Sequence, residues 1–525
     1  MKIFFIFSFI FFNPYAFSSS LIYCSESNPD YFNPQMSISG TTFNASTFLY
    51  DRLLKFDLKK GVVQPHLAER WSLSKNKKTY TFYLKKGVSF SHQKDFKPTR
   101  FFGADDVLFT FNRQRLASHP YHQVNGGGYK YFKSLNLQNL LVDIKKINQH
   151  KIQFVLKKPS PLFLQYLAME FSVILSKEYG DWLMKKNKKR DIDFKPVGTG
   201  PFVLKKYVKS NLIRYERNNK YFLGPASLNK IIFAITPDPT VRFQKLKRKE
   251  CHIISHPQPT DLPLMKKNKE IKVVQNTTYN LAYLGMNVEH PILRKVKVRQ
   301  AIAHSLNRPF YIKAIYKGMG QLAHTPLPPN LWGYNKKIKS PSYNIQKAKK
   351  LLKEAGYEKG FDIDLWTLPV SRPYNPNGKK MGELMQSDLK KVGIRVKLKT
   401  YDWSTYISKA IKGEHALIQS GWIADMGDPS NFLYVLLSCK SVSSGSNLSR
   451  WCDKNYDQVV NKAIESFDKK RKIKLYKKAQ VIFNQQMPFV PLVNSYSFTA
   501  MSPRVKGYVL PLFGSEEFYP ISISP

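Results

Sequence analysis

"KKMGELMQSDLKKVGIRVKLKTY", residues 379–401, contains the two periodicities that decide the fold of this chain. In its first part apolar residues recur at helical spacing, and Gly393 is a typical end for such a helix. From residue 394 onward apolar and polar residues alternate, as in a strand with one buried face. The stretch therefore predicts a helix followed by a strand. The apolar helical positions are Met381, Leu384, Met385, Leu389 and Val392.

The residues on both sides continue this alternation. Before the stretch, "QKAKKLLKEAG" (346–356) predicts a helix and "FDIDLWTL" (361–368) a strand. After it come a short helix from Trp403 and the strand "HALIQSGW" (415–422). Strands that alternate with helices imply an α/β layer. Nearer the N-terminus the same signals predict strands at 79–87 and 151–159, a helix at 103–114, and a turn leading into a strand at 196–207.

Two charged side chains follow strands of this layer. Arg372, in "SRPYNPN" (371–377), comes after the first strand, and Asp425, in "SGWIADMGDP" (420–429), comes after the last. In open α/β sheets, ligands bind beyond the carboxyl ends of the strands. An arginine and an aspartate at one rim, flanked by Tyr374 and Trp422, suit a ligand with one negative and one positive end.

Both charges also have a simpler structural interpretation. Asp425 can cap a helix or a turn, as Asp428 before Pro429 is expected to do. Arg372 can pair with an acid at the surface. The pattern by itself leaves these alternatives open.

Composition indicates a globular chain of two or three domains, because single cores stop growing near about 250–300 residues and this chain has 525. Its 84 Lys and Arg against 36 Asp and Glu give a formal net charge of +48. A nucleic-acid or anionic-surface binder is therefore the alternative from another class of protein. The basic clusters are spread over the whole length, which favours solvated faces and no nucleic-acid partner. They lie at 185–190, 245–249, 265–269 and 469–472.

The N-terminus, "MKIFFIFSFIFFNPYAFSSS", has the pattern of a secretory signal. Lys2 precedes an apolar run at 3–12, and Ala16 and Ser18 are the small residues that a cleavage site needs. The run is about half of the roughly 20 residues that span a bilayer. We expect residues 1–18 to be removed and the mature protein to be exported, with a retained anchor as the alternative.

Four cysteines remain after the signal, and no CxxC pair occurs among them. An even number in an exported protein favours disulfides over metal ligands. Cys439 and Cys452 are close in sequence and are predicted to pair with each other. Cys24 is then left to pair with Cys251, which ties the mature N-terminus to a segment far along the chain.

Motifs for catalysis are not found in the sequence. It has no GxSxG elbow, no phosphate-binding loop of the Walker type, no HExxH, and no GxGxxG followed by a suitable acid. His119 and His122 lie in a Pro- and Gly-rich segment that is typical of a loop, and the other histidines form no ligand cluster. We expect neither an enzyme nor a metal site.

Long strings of the mature chain resemble the family 5 extracellular solute-binding proteins, which are periplasmic receptors of peptide ABC transporters. The resemblance runs nearly end to end. It is carried by "YCSESNPDYFNPQ" (23–35), "SGTTFNAS" (39–46), "LAERWSLSKNKKTYTFYLKKGVSF" (67–90), "PVGTGPF" (196–202), "VKVRQAIAHSLNR" (296–308), "RPYNPN" (372–377) and "GWIADMGDP" (421–429).

The resemblance implies an α/β, two-lobed periplasmic-binding-protein fold with three domains, of the cluster C type. Domain I is interrupted by the other two domains, and Cys439 and Cys452 pair within domain III. The implied boundaries are 19–53, 183–278 and 494–525 for domain I, 54–182 for domain II and 279–493 for domain III.

The resemblance also implies a site for dipeptides. Asp425 is similar to the aspartate that receives the α-ammonium group, and Arg372 to the arginine that receives the α-carboxylate. Ile38 departs from the threonine of dipeptide binders, which puts one hydroxyl contact in doubt. The implied peptide-binding residues are Ile38, Ser39, Gly40, Arg372, Pro373, Tyr374, Trp422, Ile423, Ala424 and Asp425.

On this interpretation a monomeric receptor captures dipeptides in the periplasm by lobe closure and passes them to an inner-membrane ABC permease. Closure removes water from both ion pairs, so a ligand with either end blocked is expected to be rejected. No cofactor is expected. The alternative is a relative of the same family that carries haem, glutathione or an antimicrobial peptide, with haem as a transported ligand.

Overall fold

The computed structural model describes residues 19–57 and 60–524 of the chain. The predicted signal sequence, residues 1–18, lies outside them. Among the described residues, none of the helices combines the length and the apolar character needed to cross a bilayer. The α-helices of this part of the chain are α1 (Gly40–Ser46), α2 (Ala104–Arg115), α3 (Lys130–Ser134), α4 (Leu137–Leu140), α5 (Phe163–Tyr166), α6 (Lys177–Lys185), α7 (Pro239–Lys247), α8 (Leu262–Lys267), α9 (Val296–Ser305), α10 (Arg308–Tyr316), α11 (Ile345–Glu354), α12 (Gly378–Lys390), α13 (Trp403–Lys412), α14 (Ser430–Leu433), α15 (Cys439–Ser444), α16 (Lys454–Glu465) and α17 (Lys469–Gln486). The strands are β1 (Ser20–Ser25), β2 (Leu54–Phe56), β3 (Val63–Pro65), β4 (Ala68–Leu73), β5 (Thr79–Leu84), β6 (Leu141–Asn148), β7 (Lys151–Leu156), β8 (Phe202–Val208), β9 (Leu212–Arg217), β10 (Lys230–Ile235), β11 (Ile253–Ile254), β12 (Lys272–Asn276), β13 (Asn280–Met286), β14 (Gly320–Leu322), β15 (Phe361–Trp366), β16 (Ile394–Lys399), β17 (Leu417–Ile423), β18 (Phe489–Ser495), β19 (Ser497–Met501), β20 (Val505–Lys506) and β21 (Ser522–Ile523).

Three larger sheets carry the architecture of the described residues. The first has seven strands in the order β12-β19-β11-β1-β10-β9-β8, and the second has six in the order β14-β18-β13-β17-β15-β16. The third has four antiparallel strands in the order β4-β5-β7-β6. Helices connect many of the strands in the first two sheets, so the predicted α/β class is confirmed.

The three sheets draw on different parts of the chain. The seven-stranded sheet uses residues 20–25, 202–276 and 497–501, the four-stranded sheet 68–156, and the six-stranded sheet 280–495. We propose that they are the centres of domains I, II and III, although the expected boundary at 493 falls inside β18. The first lobe is the part of the protein built on the seven- and four-stranded sheets, and the second lobe is the part built on the six-stranded sheet.

The stretch at 379–401 folds as its two periodicities predict. α12 packs on β16 and buries Met381, Met385 and Leu389 in the core of the second lobe. Gly393 lies between them with φ of +86°, a left-handed conformation that only glycine adopts without a steric penalty. The glycine therefore fixes where the helix ends and the strand begins.

The neighbouring predictions are confirmed to within a few residues. α11, β15, α13 and β17 lie where the pattern placed them, and so do β5, β7, α2 and β8 nearer the N-terminus. β15 pairs in parallel with both β16 and β17, which is the arrangement of an α/β layer. The carboxyl ends of these three strands therefore lie at one edge of the sheet.

Both predicted disulfides are present. Cys24 in β1 is bonded to Cys251, with the two Cα atoms 5.9 Å apart, and Cys439 at the start of α15 is bonded to Cys452. The first bond joins parts of the seven-stranded sheet that are 227 residues apart in sequence. It therefore connects the mature N-terminus to a part of the sheet that the chain completes much later.

The basic clusters face water as predicted, with one exception. Most of their lysines and arginines are exposed, but Lys472 in α17 is buried. Its Nζ forms an ion pair with Asp428 Oδ2 at 2.7 Å, with both side chains less than a tenth exposed. The expectation that this lysine belongs to a solvated face is wrong, because α17 packs on the segment that follows β17.

Candidate functional site

A buried cavity of about 130 Å³ lies where the two lobes meet. The first lobe contributes the turn at 38–40, the start of α1 and Tyr131, and the second lobe contributes α13, the end of β17 and the turn after β15. Of the predicted binding residues, all except Pro373 line the cavity: Ile38, Ser39, Gly40, Arg372, Tyr374, Trp422, Ile423, Ala424 and Asp425. Pro373 instead accepts a hydrogen bond at its carbonyl from the Ser495 hydroxyl at 2.6 Å.

β15 and β17 bring the two predicted charges to one wall of the cavity. They pair in parallel through Leu365 with Leu417 and Trp366 with Ile418. After β15 the chain turns at Arg372, whose backbone N–H and carbonyl both bond to Asn375 at 3.0 Å. After β17 it reaches Asp425 two residues past the end of the strand. Both side chains thus lie beyond the carboxyl ends of neighbouring strands.

The first lobe and the second lobe both hold the guanidinium of Arg372. Its Nη1 forms an ion pair with Glu26 Oε1 at 2.6 Å, and its Nη2 donates to Thr41 Oγ1 at 3.1 Å, both across the lobes. Its Cζ lies 3.9 Å from the centroid of the Trp403 ring. Its Nε is buried and has no hydrogen-bond partner among the described residues. The partner of Arg372 is therefore a buried acid, not a surface acid.

Glu26 directly follows β1 and is only 1% exposed. Its carboxylate accepts hydrogen bonds from Thr41 Oγ1 at 2.6 Å and from Ser255 Oγ at 2.9 Å. Burial by itself raises the pKa of a carboxyl group, but the charge of Arg372, together with the hydrogen bond from Thr41, outweighs it and holds the pKa of Glu26 well below its ordinary value. Glu26 is therefore ionised at neutral pH.

Asp425 has a different environment. Its Oδ2 accepts hydrogen bonds from the Tyr131 hydroxyl at 2.5 Å and from Asn431 Nδ2 at 3.2 Å. No basic side chain of the described residues forms an ion pair with it. Burial raises the pKa of its carboxyl group to about 8, the charge of Glu170 adds to the rise, and the two hydrogen bonds oppose it. A cation placed beside Asp425 would restore the charged form.

Asp428 has the structural role that its position before Pro429 predicts. Its Oδ1 accepts hydrogen bonds from the backbone N–H of Ser430 at 3.0 Å and from the Tyr476 hydroxyl at 2.9 Å. Its Oδ2 carries the ion pair with Lys472. It does not line the cavity. Of the two aspartates in this segment, Asp425 therefore lines the cavity and Asp428 contributes to packing.

Tyr374 and Trp422 form aromatic walls of the cavity. A Cβ at Gly421 would lie 2.1 Å from Tyr374 Cδ2, so the ring rests directly on the strand. Trp422 Nε1 donates to Asn431 Oδ1 at 2.9 Å, and the same amide oxygen accepts from the Asp425 backbone N–H. Asn431 thereby fixes both the indole and the aspartate.

Only some backbone N–H and carbonyl groups of residues 422–424 are left to bind a ligand. Ala424 donates its N–H to the Tyr279 carbonyl at 2.8 Å, and its carbonyl accepts from the Gly514 N–H at 2.7 Å. β17 pairs with β13 along its whole length but with β15 only through residues 417 and 418. Among the described strands, none pairs with the remaining edge at 419–423.

The turn at 38–40 approaches the second lobe closely. Trp403 Nε1 donates to Ser39 Oγ at 3.4 Å across the two lobes. Ile38 lines the cavity with an apolar side chain. At Gly40 an added Cβ would meet no heavy atom within 4 Å. The turn at 38–40 therefore presents no charged side chain to the cavity.

Sequence reasoning missed four residues of this site: Glu26, Tyr131, Trp403 and Asn431. Glu26 had a usable signal, since it directly follows a strand, as Asp425 nearly does, and it is one of only 36 acids. Trp403 begins a predicted helix, but nothing marked its ring as the surface on which Arg372 stacks. Tyr131 reaches Asp425 from 294 residues away in sequence, and no local pattern indicates that contact.

Metal ligation is not supported by the side chains present. In residues 19–57 and 60–524, no three His, Cys, Asp or Glu side chains are grouped so that they could hold an ion. His119 packs edge-on against Phe109, and His122 Nδ1 contacts the Arg113 carbonyl at 2.8 Å. Both histidines therefore contact other residues of the protein, and these contacts account for their positions.

Two lobes that enclose a charged cavity between α/β sheets define a solute-binding protein. The profile of the "Bacterial extracellular solute-binding proteins, family 5 Middle" matches residues 62–444. The chain is 44% identical to a dipeptide-binding protein of Escherichia coli (strain K12) over 96% of its own length and 95% of that protein. The chain belongs to the family 5 extracellular solute-binding proteins.

Two further proteins that are similar to this chain are named for different ligands. The heme-binding protein A of Haemophilus influenzae is 40% identical, over 96% of this chain and 92% of that protein. A crystal structure of a dipeptide-binding protein from Pseudoalteromonas sp. SM9913 in complex with Met-Leu superposes with a TM-score of 0.94 at 38% identity, covering 96% of this chain and 100% of that one. Similar whole-chain folds therefore occur in proteins named for different ligands.

Proposed function

We propose that this protein is a receptor that captures dipeptides between its two lobes and delivers them to an ABC permease. The observation that carries the proposal is the buried carboxyl group of Asp425. It lies in a cavity wall shared with Arg372, and it has no cationic partner within the described part of the chain. The α-ammonium group of a peptide would supply that partner, and the guanidinium of Arg372, which lines the same cavity, has N–H donors for its carboxyl end.

The size of the cavity supports a short ligand. Its volume of about 130 Å³ is below the roughly 300–1,000 Å³ of pockets that hold drug-sized molecules. Residues 420–423 of β17 line the cavity along an edge that no described strand pairs with, and such an edge can bind an extended backbone. Backbone recognition leaves the side chains of the ligand largely unselected.

Apolar side chains line much of the rest of the second-lobe wall. They come from one face of α13 and from the loop after α15, and the charged or ionisable groups of the described lining, apart from tyrosines, are Arg372, His256 and Asp425. The wall therefore lacks a second charge for an acidic or basic ligand side chain. The lining residues of this part are Trp403, Ile407, Ala410, Ile411 and Leu448.

The proposal includes an exported, monomeric protein. The family description calls these proteins extracellular, and the N-terminal sequence has the pattern of a signal. A receptor of this kind acts in the periplasm and requires a permease in the inner membrane that recognises the closed form. Closure would follow from the higher affinity of the closed form for ligand.

Calorimetric titration of the mature chain, refolded to remove carried-over ligand, tests the proposal. The ligands are alanyl-leucine, its N-acetyl form, a tripeptide and haem. We expect alanyl-leucine to bind and the N-acetyl form to bind at least 100-fold more weakly, because Asp425 then faces no cation. Asp425→Ala should weaken binding of alanyl-leucine by a similar factor.

Asp362→Asn provides the matched control, because it removes a carboxylate from the exposed amino end of β15 on the same lobe. Its affinity for alanyl-leucine should equal that of the wild type. Equal binding of free and N-acetylated peptide would contradict the proposal, and so would full affinity in a folded Asp425→Ala variant.

Haem is the second candidate, because one relative of 40% identity is named for it. The cavity volume of about 130 Å³ argues against a ligand of that size. The titration decides between the two: tight haem binding without dipeptide binding would replace the proposal. Glutathione and antimicrobial peptides belong in the same ligand panel.

A further inference from the structure

The two charges of the cavity differ in how they are compensated. Arg372 already has a negative partner inside the protein, the Glu26 carboxylate at 2.6 Å. Asp425 has hydrogen-bond donors but no positive partner among the described residues. Before any ligand is considered, the site therefore has one compensated charge, on Arg372, and one carboxyl group, of Asp425, that lacks a cation.

Neighbouring residues hold both members of the Glu26–Arg372 ion pair in place. Glu26 is fixed by Thr41 and Ser255, and Thr41 also accepts from Arg372 Nη2. Arg372 is stacked on Trp403. His256, whose Nε2 lies 3.8 Å from Glu26, has its pKa lowered to about 4 by burial and so adds no charge at neutral pH. Within residues 19–57 and 60–524, Glu26 is therefore the one acid that forms an ion pair with Arg372.

The guanidinium keeps N–H donors for a ligand after its contacts inside the protein. Nη1 donates to Glu26 and Nη2 donates to Thr41, each through one of its two N–H groups, so that one N–H of each nitrogen remains. An N–H donor can bind the oxygen of a neutral amide as well as an oxygen of a carboxylate. A full negative charge at this end of the ligand would lie near Glu26 and share its cation.

We propose that Glu26 replaces the negative charge of the ligand, so that the receptor selects its ligands by their amino end and accepts peptides whose carboxyl end is neutral. The inference rests on the proposed function and names its substrate class: short peptides with a free α-ammonium group, whether their other end is a carboxylate or an amide. Glu26 is a positioning residue for Arg372. This revises the expectation from sequence that both blocked ends are rejected.

The test compares alanyl-leucine, its C-terminal amide and its N-acetyl form by calorimetry. In the wild type the amide should bind within about 10-fold of the free peptide, because removal of the carboxylate leaves no unpaired buried charge. The N-acetyl form should lose at least 100-fold. Equal losses for the two blocked forms would overturn the inference while leaving dipeptide binding in place.

Glu26→Gln tests this role through the ratio of two ligand affinities, which a purely structural role of Glu26 would leave unchanged. Without its internal counter-charge, Arg372 should require a carboxylate from the ligand, so the ratio of free-peptide to amide affinity should rise at least 10-fold over the wild-type ratio. Ser255→Ala is the matched control, since it removes a hydrogen bond to Glu26 but keeps the charge, and its ratio should stay at the wild-type value.

Two further outcomes count against the inference, and the wild-type comparison covers the case of a variant that does not fold. An unchanged affinity ratio in folded Glu26→Gln overturns it. If that variant does not fold, the wild-type comparison of the two blocked peptides still decides. If no form of the peptide binds the wild type, the proposed function fails and the inference fails with it.

Discussion

At the scale of the residue, Asp425 is a cavity-lining acid whose burial opposes stability. Its carboxyl group is buried with no cationic partner in the part of the chain that the structure describes, and its pKa is raised to about 8 by that burial. Buried acids of this kind are common at functional sites, because the ligand supplies what the protein leaves out. Three residues later, Asp428 is paired with Lys472 and serves the fold.

Asp425→Asn should stabilise the ligand-free protein. The folded carboxyl group keeps its proton up to about pH 8, whereas the unfolded one releases it near pH 4, so the folded state binds more protons in between. Stability of the wild type therefore falls as pH rises from about 4 to 8. At pH 8 the variant should be more stable by at least about 1 kcal/mol, roughly the equivalent of one pKa unit.

Thermal unfolding without ligand at pH 5 and pH 8 measures this effect. Asp428→Asn is the matched control in the same segment, and it should lose roughly 3–5 kcal/mol because it leaves Lys472 buried and unpaired. Opposite signs for the two substitutions are expected. The same sign for both would show that Asp425 is not the strained group.

At the scale of the element, β17 combines packing with an open edge. β13 covers one edge along the whole strand, while β15 leaves residues 419–423 unpaired on the other. Gly421 lies in this part, and the ring of Tyr374 rests on it. The strand thus presents a backbone edge and an aromatic wall to the same cavity.

Gly421→Ala should weaken both ligand binding and folding. The added Cβ would lie 2.1 Å from Tyr374 Cδ2 and 2.4 Å from its Cγ, so the ring must move. Overpacking of this kind destabilises by about 1–3 kcal/mol. The displaced ring would also alter the cavity wall, so we expect a loss of affinity for alanyl-leucine of at least 10-fold.

Gly128→Ala is the control for this prediction, because a Cβ there meets no heavy atom within 4 Å. Its affinity and its unfolding temperature should match those of the wild type. Calorimetry together with thermal unfolding separates the two effects. Unchanged affinity in Gly421→Ala would mean that Tyr374 does not shape the site.

At the scale of the whole molecule, the chain leaves the first lobe and returns to it. β1 from the mature N-terminus pairs with β10 and β11, and β19 from near the C-terminus pairs with β11 and β12. The disulfide from Cys24 to Cys251 closes the longer of the two loops, with a sequence separation of 227 against 13 for the second bond.

Removal of the two disulfides should have unequal effects. Loop-closure entropy gives about 5 kcal/mol for the longer loop and about 3 kcal/mol for the shorter one. Denaturant unfolding of a Cys24→Ser, Cys251→Ser variant and of a Cys439→Ser, Cys452→Ser variant measures both. The larger loss should belong to the first variant, and the reverse order would mean that native contacts, not chain entropy, set the difference.

The sequence by itself determined the elements of the second lobe, the place of Arg372 and Asp425 beyond neighbouring strands, and both disulfides. It could do so because periodicity, glycine ends and the geometry of parallel strands are properties of short segments. Only the tertiary structure decided that Glu26 pairs with Arg372, that Tyr131 reaches Asp425 and that Lys472 is buried against Asp428. These contacts join residues 346, 294 and 44 positions apart, and they depend on how packed helices and lobes face each other, which no local pattern encodes.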